Sequence, residues 1–394
     1  MRILVASHTY IVPLNCEKLR TLAMLNTDIE VTVVVPKRWK PGGVQNRLVE
    51  PEAVEDRNFR VMPIANFSQN NQGLLTFGWE LVQLLKTFKP DIIQVEQGAK
   101  ALGYAQMIFL NQVLGLKAKN LFFTWWNLPY EVKFPLNLLE GYNLQHTHGI
   151  VVGNQDGADV LREHGYQGPM RVMPQLGVDE QLFAPSPQPD LKASLGIAPD
   201  EFVIGFVGRF VREKGLLTVV KALTQLAKEN ALPPWKWLLL GRGPLKDELM
   251  QQIESNGLSD RVHWVESVPH DVVPRYINAM DTLLLPSEAT YDFKTLTASG
   301  WKEQFGHVLI EAMACQVPVI GSDSGEIPHV IDEGGLVFPE GNADELAERL
   351  RQLMRSPERH HDLAQAGYHR AMTKYTNLAL AKELLDFYQE LCVA

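Results

Sequence analysis

Cysteine is scarce in this chain of 394 residues, and nothing in its spacing suggests a metal site or a disulfide framework. Long apolar runs are also lacking: no stretch of about 18 apolar residues is present that would predict a membrane span. The opening sequence MRILVASHTY predicts a first strand rather than a signal peptide. Together these features favour a reducing compartment, and the expected location is cytoplasmic. The cysteines are Cys16, Cys315 and Cys392.

The chain also has no excess of basic residues, because its formal net charge is −9. General nucleic-acid binding is therefore not expected, because it requires a basic field that displaces counterions. One local basic segment, PKRWKPGGVQNR at 36–47, has four cations around a tryptophan. This segment leaves open a peripheral contact with the inner face of a membrane, although a solvated loop is favoured.

Apolar strand candidates alternate with amphipathic helices along most of the chain. The helix candidates include Leu74–Phe88 and Gln155–Glu163. Strands that are apolar throughout indicate parallel sheets covered on both faces. We therefore expect an α/β fold with two doubly wound, Rossmann-like domains facing across a cleft. The expected boundaries are a first domain at 1–184, a proline-rich linker at 185–200, a second domain at 201–373 and a helical tail at 374–394.

A group of cations follows the first strand candidate of the second domain. Gly208 allows a turn, Arg209 and Lys214 follow it, and Gly215 opens a helix. Free N–H groups and the helix dipole already favour an anion at such a place. A guanidinium fork and an ammonium point charge would suit a diphosphate. A solvated basic loop is an equally good interpretation of this stretch alone.

Glycine also follows the next strand candidate, in the sequence LLLGRGP. Gly241 and Gly243 would allow a ligand to approach the backbone closely, and we expect one wall of a nucleotide pocket there. The signal is weak, because the third glycine of the dinucleotide fingerprint is replaced by Lys246.

Two carboxylates, Glu303 and Glu311, lie eight positions apart around the predicted start of a helix near Gly306. Glu303 is expected in the preceding loop and Glu311 on the second turn, so both can reach one site. The amides of Phe305, Gly306 and His307 would be free helix N-terminal donors. Carboxylates accept hydrogen bonds from hydroxyls, and a ribose and a hexose both offer hydroxyls. A nucleotide diphosphate sugar therefore fits these stretches, although a favourable interaction with the helix dipole would also explain Glu303.

The sequence EQFGHVLIEAMACQVPVIGSDSGEIPHVI, together with VGRFVREKG and LLLGRGP, resembles family 4 of the retaining glycosyltransferases, which have the GT-B fold. The resemblance implies a hexosyl transfer from a nucleotide diphosphate sugar with the anomeric configuration kept. It implies that Arg209 and Lys214 stabilise the leaving diphosphate, that Glu311 binds ribose and that Glu303 binds the donor sugar. Amides from Phe305 to Val308 would contact sugar and phosphate. The terminal helix would return to the first domain.

The sequence has no Asp-x-Asp pattern, so no metal or other cofactor is expected. In the first domain the chain departs from the resemblance, because the usual Gly-Gly loop and a histidine are missing. The acceptor-side candidates there are His8, Glu96, Trp126 and Asn127, each of which more often has a structural role. The expected acceptor is a saccharide, a glycolipid or a small molecule, in polysaccharide or glycoconjugate biosynthesis. The nucleotide base, UDP or GDP, is not specified.

The segment Ser287–Gln304 is longer than the family spacing, and two interpretations stay open. It is either a lid over the donor, with Lys294 and Trp301 near the sugar, or a mobile insertion. Two rival functions also stay open. One is a nucleotide-sugar epimerase of the same fold, and the other is a nucleotide-sugar-binding protein without catalysis.

Overall fold

A computed structural model of the protein describes residues 1–41, 47–294 and 297–393. The chain divides into two compact units, one formed by Met1–Gly177 with Asn377–Ala394 and the other by Val178–Thr376. The expected linker at 185–200 lies inside the second unit. This segment contains a helix, Pro189–Ser194, and Asn278 holds its start by accepting from the Ser186 amide and donating to the Ala184 carbonyl.

The first unit is built on a largely parallel sheet whose strands run in the order β10-β9-β8-β7-β1-β2-β4-β3. Only the β3–β4 pair in this order is antiparallel. The helices of this part of the chain are α1 (Glu17–Met24), α2 (Trp79–Phe88), α3 (Leu102–Val113), α4 (Leu136–Gln145) and α5 (Gln155–Glu163). The strands are β1 (Arg2–Ala6), β2 (Glu30–Pro36), β3 (Val54–Asp56), β4 (Phe59–Ile64), β5 (Asn66–Phe67), β6 (Thr76–Phe77), β7 (Ile92–Val95), β8 (Lys119–Thr124), β9 (Gly149–Val152) and β10 (Met170–Val172).

The second unit contains a parallel sheet in the order β13-β12-β11-β14-β17-β18 and a separate antiparallel hairpin, β15–β16. Its strands are β11 (Phe202–Val207), β12 (Trp235–Leu240), β13 (Val262–Val265), β14 (Thr282–Leu285), β15 (Thr290–Lys294), β16 (Ser299–Trp301), β17 (Val319–Ser322) and β18 (Gly335–Phe338). Its helices are α6 (Pro189–Ser194), α7 (Leu216–Leu226), α8 (Lys246–Ser255), α9 (Val273–Ile277), α10 (His307–Ala314), α11 (Ile327–Ile331), α12 (Ala343–Arg355) and α13 (Pro357–Arg370).

The last helix, α14 (Asn377–Val393), belongs to the first unit and packs against α1. Its buried side chains, among them Leu384 and Phe387, join the apolar core of that unit. The second unit has its own core, which includes Phe206, Trp237 and Leu350. Within the described ranges, no helix combines the length and the apolar character needed to cross a bilayer.

Candidate active site in the second unit

The strand order of the second sheet fixes where a ligand site is expected. Counted along the chain, the order is 3-2-1-4-5-6, and it reverses between the neighbouring strands β11 and β14. Segments that leave two such strands turn to opposite faces of the sheet, which opens a crevice at the carboxyl ends. The site is therefore built from the segment that follows Val207 and the segment that follows Leu285.

These two segments are in direct contact. Gly215 has a φ of +64°, and a Cβ there would lie 1.8 Å from the carbonyl oxygen of Pro286. The amide of Glu288 donates to the carbonyl of Glu213 over 3.0 Å. The hydroxyl of Thr218, on the first turn of α7, donates to the Glu288 carboxylate over 2.6 Å. Lys214 is thereby held against the start of the insertion that follows β14.

The centre of the site is an ion pair between Lys214 and Glu303. Both side chains are largely buried, with 14% and 10% of their surface exposed. Ser287, at the end of the LLLPS sequence, donates its hydroxyl to the same oxygen of Glu303 over 2.7 Å. The ring of Trp301 lies 5.1 Å from the Lys214 ammonium group. Sequence reasoning missed Ser287, although its place directly after an apolar strand was a usable signal.

The backbone of Glu303 is also fixed. Its carbonyl accepts from the Glu326 amide over 3.2 Å. Gly325 packs against the same carbonyl so closely that a Cβ would lie 1.9 Å from it, at a φ of +56°. The carboxylate of Glu303 is thus positioned from both its backbone and its side chain.

Helix α10 begins where the sequence predicts, with Gly306 at φ +86° as its N-cap. The half-buried residues of this helix are His307, Val308 and Glu311, whereas its other residues are buried. Since these positions are i, i+1 and i+4, they lie on one side of the helix. Burial raises the pKa of Glu311 to about 7, and within the described ranges its carboxylate has no hydrogen-bond or ion-pair partner. Glu311 therefore offers a carboxylate on the only side of α10 that is not fully packed.

Arg209 and the glycines border this arrangement. Arg209 is exposed and lines a cavity together with Trp301. Gly241 lies against the β11 loop, because a Cβ there would be 1.9 Å from the Gly208 carbonyl oxygen. A Cβ at Gly243 would be 2.3 Å from the Phe210 carbonyl oxygen. The packing of the two loops against each other, and not only the approach of a ligand, thus requires glycine here.

The acceptor-side candidates of the first unit all follow adjacent strands. His8 follows β1, Glu96 follows β7, and Trp126 and Asn127 follow β8. Because these strands are parallel neighbours, the four residues share the carboxyl edge of one sheet. The structure therefore brings them to the same edge, but in different environments.

Glu96 belongs to a buried hydrogen-bond network. Its carboxylate accepts from Tyr10 over 2.9 Å, from Gln94 over 3.0 Å and from Gln175 over 2.6 Å. Lys18 is also buried, and its burial lowers its pKa to about 8 while the charge of Glu96 opposes that shift. These contacts predict a structural role for Glu96 in the interior of the first unit.

His8 and Trp126 are half-buried. Burial lowers the pKa of His8 to about 4, so its ring is neutral at pH 7, and it lies 4.9 Å from the ring of Trp39. The indole of Trp126 donates to the Leu128 carbonyl over 2.6 Å. The Lys100 ammonium group lies 4.9 Å from the Trp126 ring. Asn127 is buried, with 3% exposed.

The basic segment 36–47 does not present its tryptophan to a surface. Trp39 is 3% exposed and pairs with Val49 through backbone hydrogen bonds. Lys37, Arg38 and Lys40 are exposed, and residues 42–46 of the predicted contact lie outside the described residues. The ring of Trp39 packs in the core of the first unit, and the peripheral membrane contact of this segment stays a prediction.

Comparison with known protein families gives a match within the second unit. Residues 187–370 match the family model described as glycosyl transferases group 1. A curated relative, N-acetyl-alpha-D-glucosaminyl L-malate synthase of Bacillus anthracis, is 30% identical over 190 residues. That alignment covers 48% of this chain and 45% of the relative, so this chain spans about half the length of such a relative.

Solved structures resemble the chain over nearly its whole length. Sucrose-phosphate synthase from Thermosynechococcus elongatus is 21% identical, with a TM-score of 0.69 and 99% of each chain covered. HepE of Anabaena in complex with UDP-glucose is 19% identical, with a TM-score of 0.68, 99% of this chain and 100% of that chain covered. These likenesses confirm the predicted fold class, the two-domain α/β GT-B fold.

Proposed function

We propose that the protein is a retaining glycosyltransferase of the family 4 type, which transfers a hexosyl group from a nucleotide diphosphate sugar. The proposed acceptor is a saccharide, a glycolipid or a small molecule. The observation that carries the proposal is the ion pair of Lys214 and Glu303 at the reversal of the strand order, next to the first turn of α10. The match of residues 187–370 and the UDP-glucose complex of HepE support it.

The diphosphate would bind between Lys214, Arg209 and the first amides of α10. An ammonium group has three donors, so Lys214 can keep its contact with Glu303 and still donate to a phosphate oxygen. Arg209 is exposed and can reach a second oxygen with its planar fork. Fixed positive charge around the leaving group lowers the barrier to its departure, because negative charge develops there in the transition state.

The two carboxylates would bind the groups on either side of the diphosphate. Glu311 accepts from the ribose hydroxyls in its ionised form, and Glu303 accepts from hydroxyls of the donor sugar. The Glu303 carboxylate is a poor nucleophile, because Lys214 and Ser287 already hold one of its oxygens. This favours attack from the face of the leaving group: the acceptor oxygen bonds to the anomeric carbon, the carbon–phosphate oxygen bond breaks, and the departing phosphate takes the acceptor's proton.

A donor screen followed by product analysis tests this proposal. UDP and GDP sugars are first tested for a rise in melting temperature, which follows from preferential binding to the folded state. The donor that binds is then incubated with the protein and candidate saccharides, and nuclear magnetic resonance spectra identify the product's anomeric configuration. A transferred sugar with the donor's configuration supports the proposal. Inversion, epimerisation of the donor without an acceptor, or binding without turnover would each replace it with another function.

A further inference from the structure

The described part of the insertion between Ser287 and Glu303 contains regular secondary structure. Its described part forms the β15–β16 hairpin, in which Thr290 pairs with Trp301 and Lys294 with Ser299. Residues 295 and 296 of the segment lie outside the described residues. The base of the hairpin is fixed, because the Ala289 amide donates to the Glu340 carboxylate over 2.9 Å and Glu303 is held by Ser287.

A cavity of about 610 Å³ lies between this hairpin and the loops that follow β11 and β12. Its volume is within the usual range for small-molecule sites, about 300–1,000 Å³. Its lining includes Phe293 and Trp301 from the hairpin and Pro244 and Leu245 from the segment that follows β12. Lys214, Glu303 and Glu311 are not among the described residues that line it, whereas Arg209 is, so the cavity adjoins the proposed donor site and shares Arg209 with it.

The polar groups of the cavity carry both signs of charge. Arg212 is paired with Glu248 over 2.7 Å. The side chains of Arg209, Glu213 and Asp292 have no such ion pair with any residue in the described ranges. One unpaired cation beside two carboxylates does not favour a second phosphate. Carboxylates and a guanidinium beside aromatic rings instead suit a hydroxyl-rich ring, whose C–H face packs on an aromatic ring while its hydroxyls bind the charged groups.

Trp301 connects the two sites. It lines the cavity, and its ring lies 5.1 Å from the Lys214 ammonium group. A ring bound in the cavity would therefore lie beside the group proposed to neutralise the leaving diphosphate. The attacking oxygen of an acceptor must meet the donor's anomeric carbon, so a cavity that adjoins the donor site is a candidate place for the acceptor.

We propose that the β15–β16 hairpin builds a subsite for a pyranose ring of the acceptor, formed by Phe293, Trp301, Asp292 and Glu213. The proposal rests on the proposed function, since it identifies the acceptor as a saccharide or a molecule that carries one. The hairpin is thus a specificity element.

Saturation-transfer difference spectra test this subsite with methyl α-pyranosides of glucose, mannose, galactose and N-acetylglucosamine as probes, in the presence of saturating UDP or GDP. The variants are Phe293→Ala and Asp292→Asn. The control is Tyr291→Ala, which removes an exposed aromatic ring from the same strand that does not line the cavity. We expect signals from at least one pyranoside with the wild type and the control, and at least a five-fold loss in both variants.

Nucleotide binding is measured on the same samples by thermal shift, and we expect it to be equal in all four proteins. Pyranoside signals that are unchanged in Phe293→Ala and Asp292→Asn would overturn the subsite, as would absence of any pyranoside signal from a wild type that binds nucleotide. A loss of nucleotide-sugar binding together with the pyranoside signal would assign the cavity to the donor sugar instead. Failure of the wild type to bind any nucleotide would contradict the proposed function itself, which separates the two proposals.

Discussion

Lys214 and Glu303 are 89 positions apart in the chain, yet their charged groups form a largely buried ion pair that Ser287 completes from a third segment. Charged groups lose hydration when they are buried, so such a pair persists only when each partner compensates the other. The pair and Ser287 therefore link three segments of the second unit. Lys214 also offers the positive charge that a diphosphate would need, and Glu303 offers the acceptor that a sugar hydroxyl would need.

Removal of the Lys214 charge should affect both stability and binding. Lys214→Met leaves the carboxylate of Glu303 buried without its cation, which typically costs about 3–5 kcal/mol of unfolding free energy. We expect a lower urea midpoint and no rise in melting temperature with a nucleotide sugar. Lys221→Met is the control, because it removes the same charge from an exposed position on α7 and should leave both measurements unchanged.

The double variant Lys214→Met with Glu303→Gln separates the two effects. Because no uncompensated charge remains, the double variant should recover most of the unfolding free energy that Lys214→Met loses. Binding of the nucleotide sugar should stay absent. Recovery of binding along with stability would show that Lys214 acts only through the fold.

The pKa of Glu311 predicts a pH dependence of donor binding. Ribose hydroxyls donate to the ionised carboxylate, so binding should strengthen as pH rises through about 7. Between pH 6 and pH 8 the affinity for a nucleotide sugar should rise about ten-fold, since the ionised fraction changes by that factor. A diphosphate diester is the right probe, because a terminal phosphate titrates near pH 6 itself. Calorimetry on Glu311→Gln should show weaker binding without this rise; the same slope in the variant would exclude Glu311 as its source.

Glu311 should also affect folding, but here the protonated form of its carboxyl group is the favoured one. A carboxyl pKa raised from 4.5 to about 7 means that the folded state favours the protonated form. The favourable contribution of this group to the free energy of unfolding has an upper limit of about 3 kcal/mol. It is present below pH 4.5 and is lost as pH rises to about 7. Glu311→Gln should therefore be more stable than the wild type at pH 8 in urea unfolding, and the difference should shrink toward pH 4.5. A Gln variant that is less stable at pH 8 would contradict the raised pKa.

Gly215 should tolerate substitution less well than Gly257, although their backbones are alike. Both have positive φ, +64° and +69°, but a Cβ at Gly257 would meet nothing within 4 Å. Gly257→Ala should cost only the backbone term of about 1–2 kcal/mol. Gly215→Ala must also displace Pro286, so we expect a clearly larger loss of unfolding free energy and weaker nucleotide binding. Equal losses in urea unfolding would show that the contact with Pro286 does not constrain the site.

Glu96 should behave as a structural residue. Glu96→Ala leaves the donors of Tyr10, Gln94 and Gln175 unpaired in the interior, at about 1–3 kcal/mol for each group that stays unsatisfied. We expect a lower melting temperature and an unchanged affinity for nucleotide sugar, whereas Glu30→Ala, at an exposed position, should change neither. A kinetic effect on the acceptor with unchanged stability would instead place Glu96 in the acceptor site.

Local patterns predicted much of the fold. The predicted helix Gln155–Glu163 has the bounds of α5, and α10 begins beside Gly306 as expected. The predicted helix Leu74–Phe88 is wrong at its start, because Thr76 and Phe77 form β6 and α2 begins only at Trp79. Gly78 separates the two, and a short apolar run such as LLTF does not distinguish strand from helix.

Side-chain environments were harder to predict than strand order. Glu303 and Glu311 were predicted as site residues because their types and spacing relate to a helix start, which is a local feature. The partner of Glu303 depends on a contact across 89 positions, and the network of Glu96 depends on Gln175, far along the chain. The β15–β16 hairpin was also not predicted, although Tyr291 and Phe293 alternate with polar residues as in a strand.

The most direct test of the central claim is a crystal structure of the protein with the nucleotide diphosphate sugar that binds in the thermal screen. We expect phosphate oxygens within hydrogen-bond distance, about 3 Å, of the Lys214 ammonium group and of the first amides of α10, with the ribose hydroxyls on Glu311. A diphosphate bound away from Lys214 and α10, with Glu311 not in contact with the ligand, would contradict the central claim.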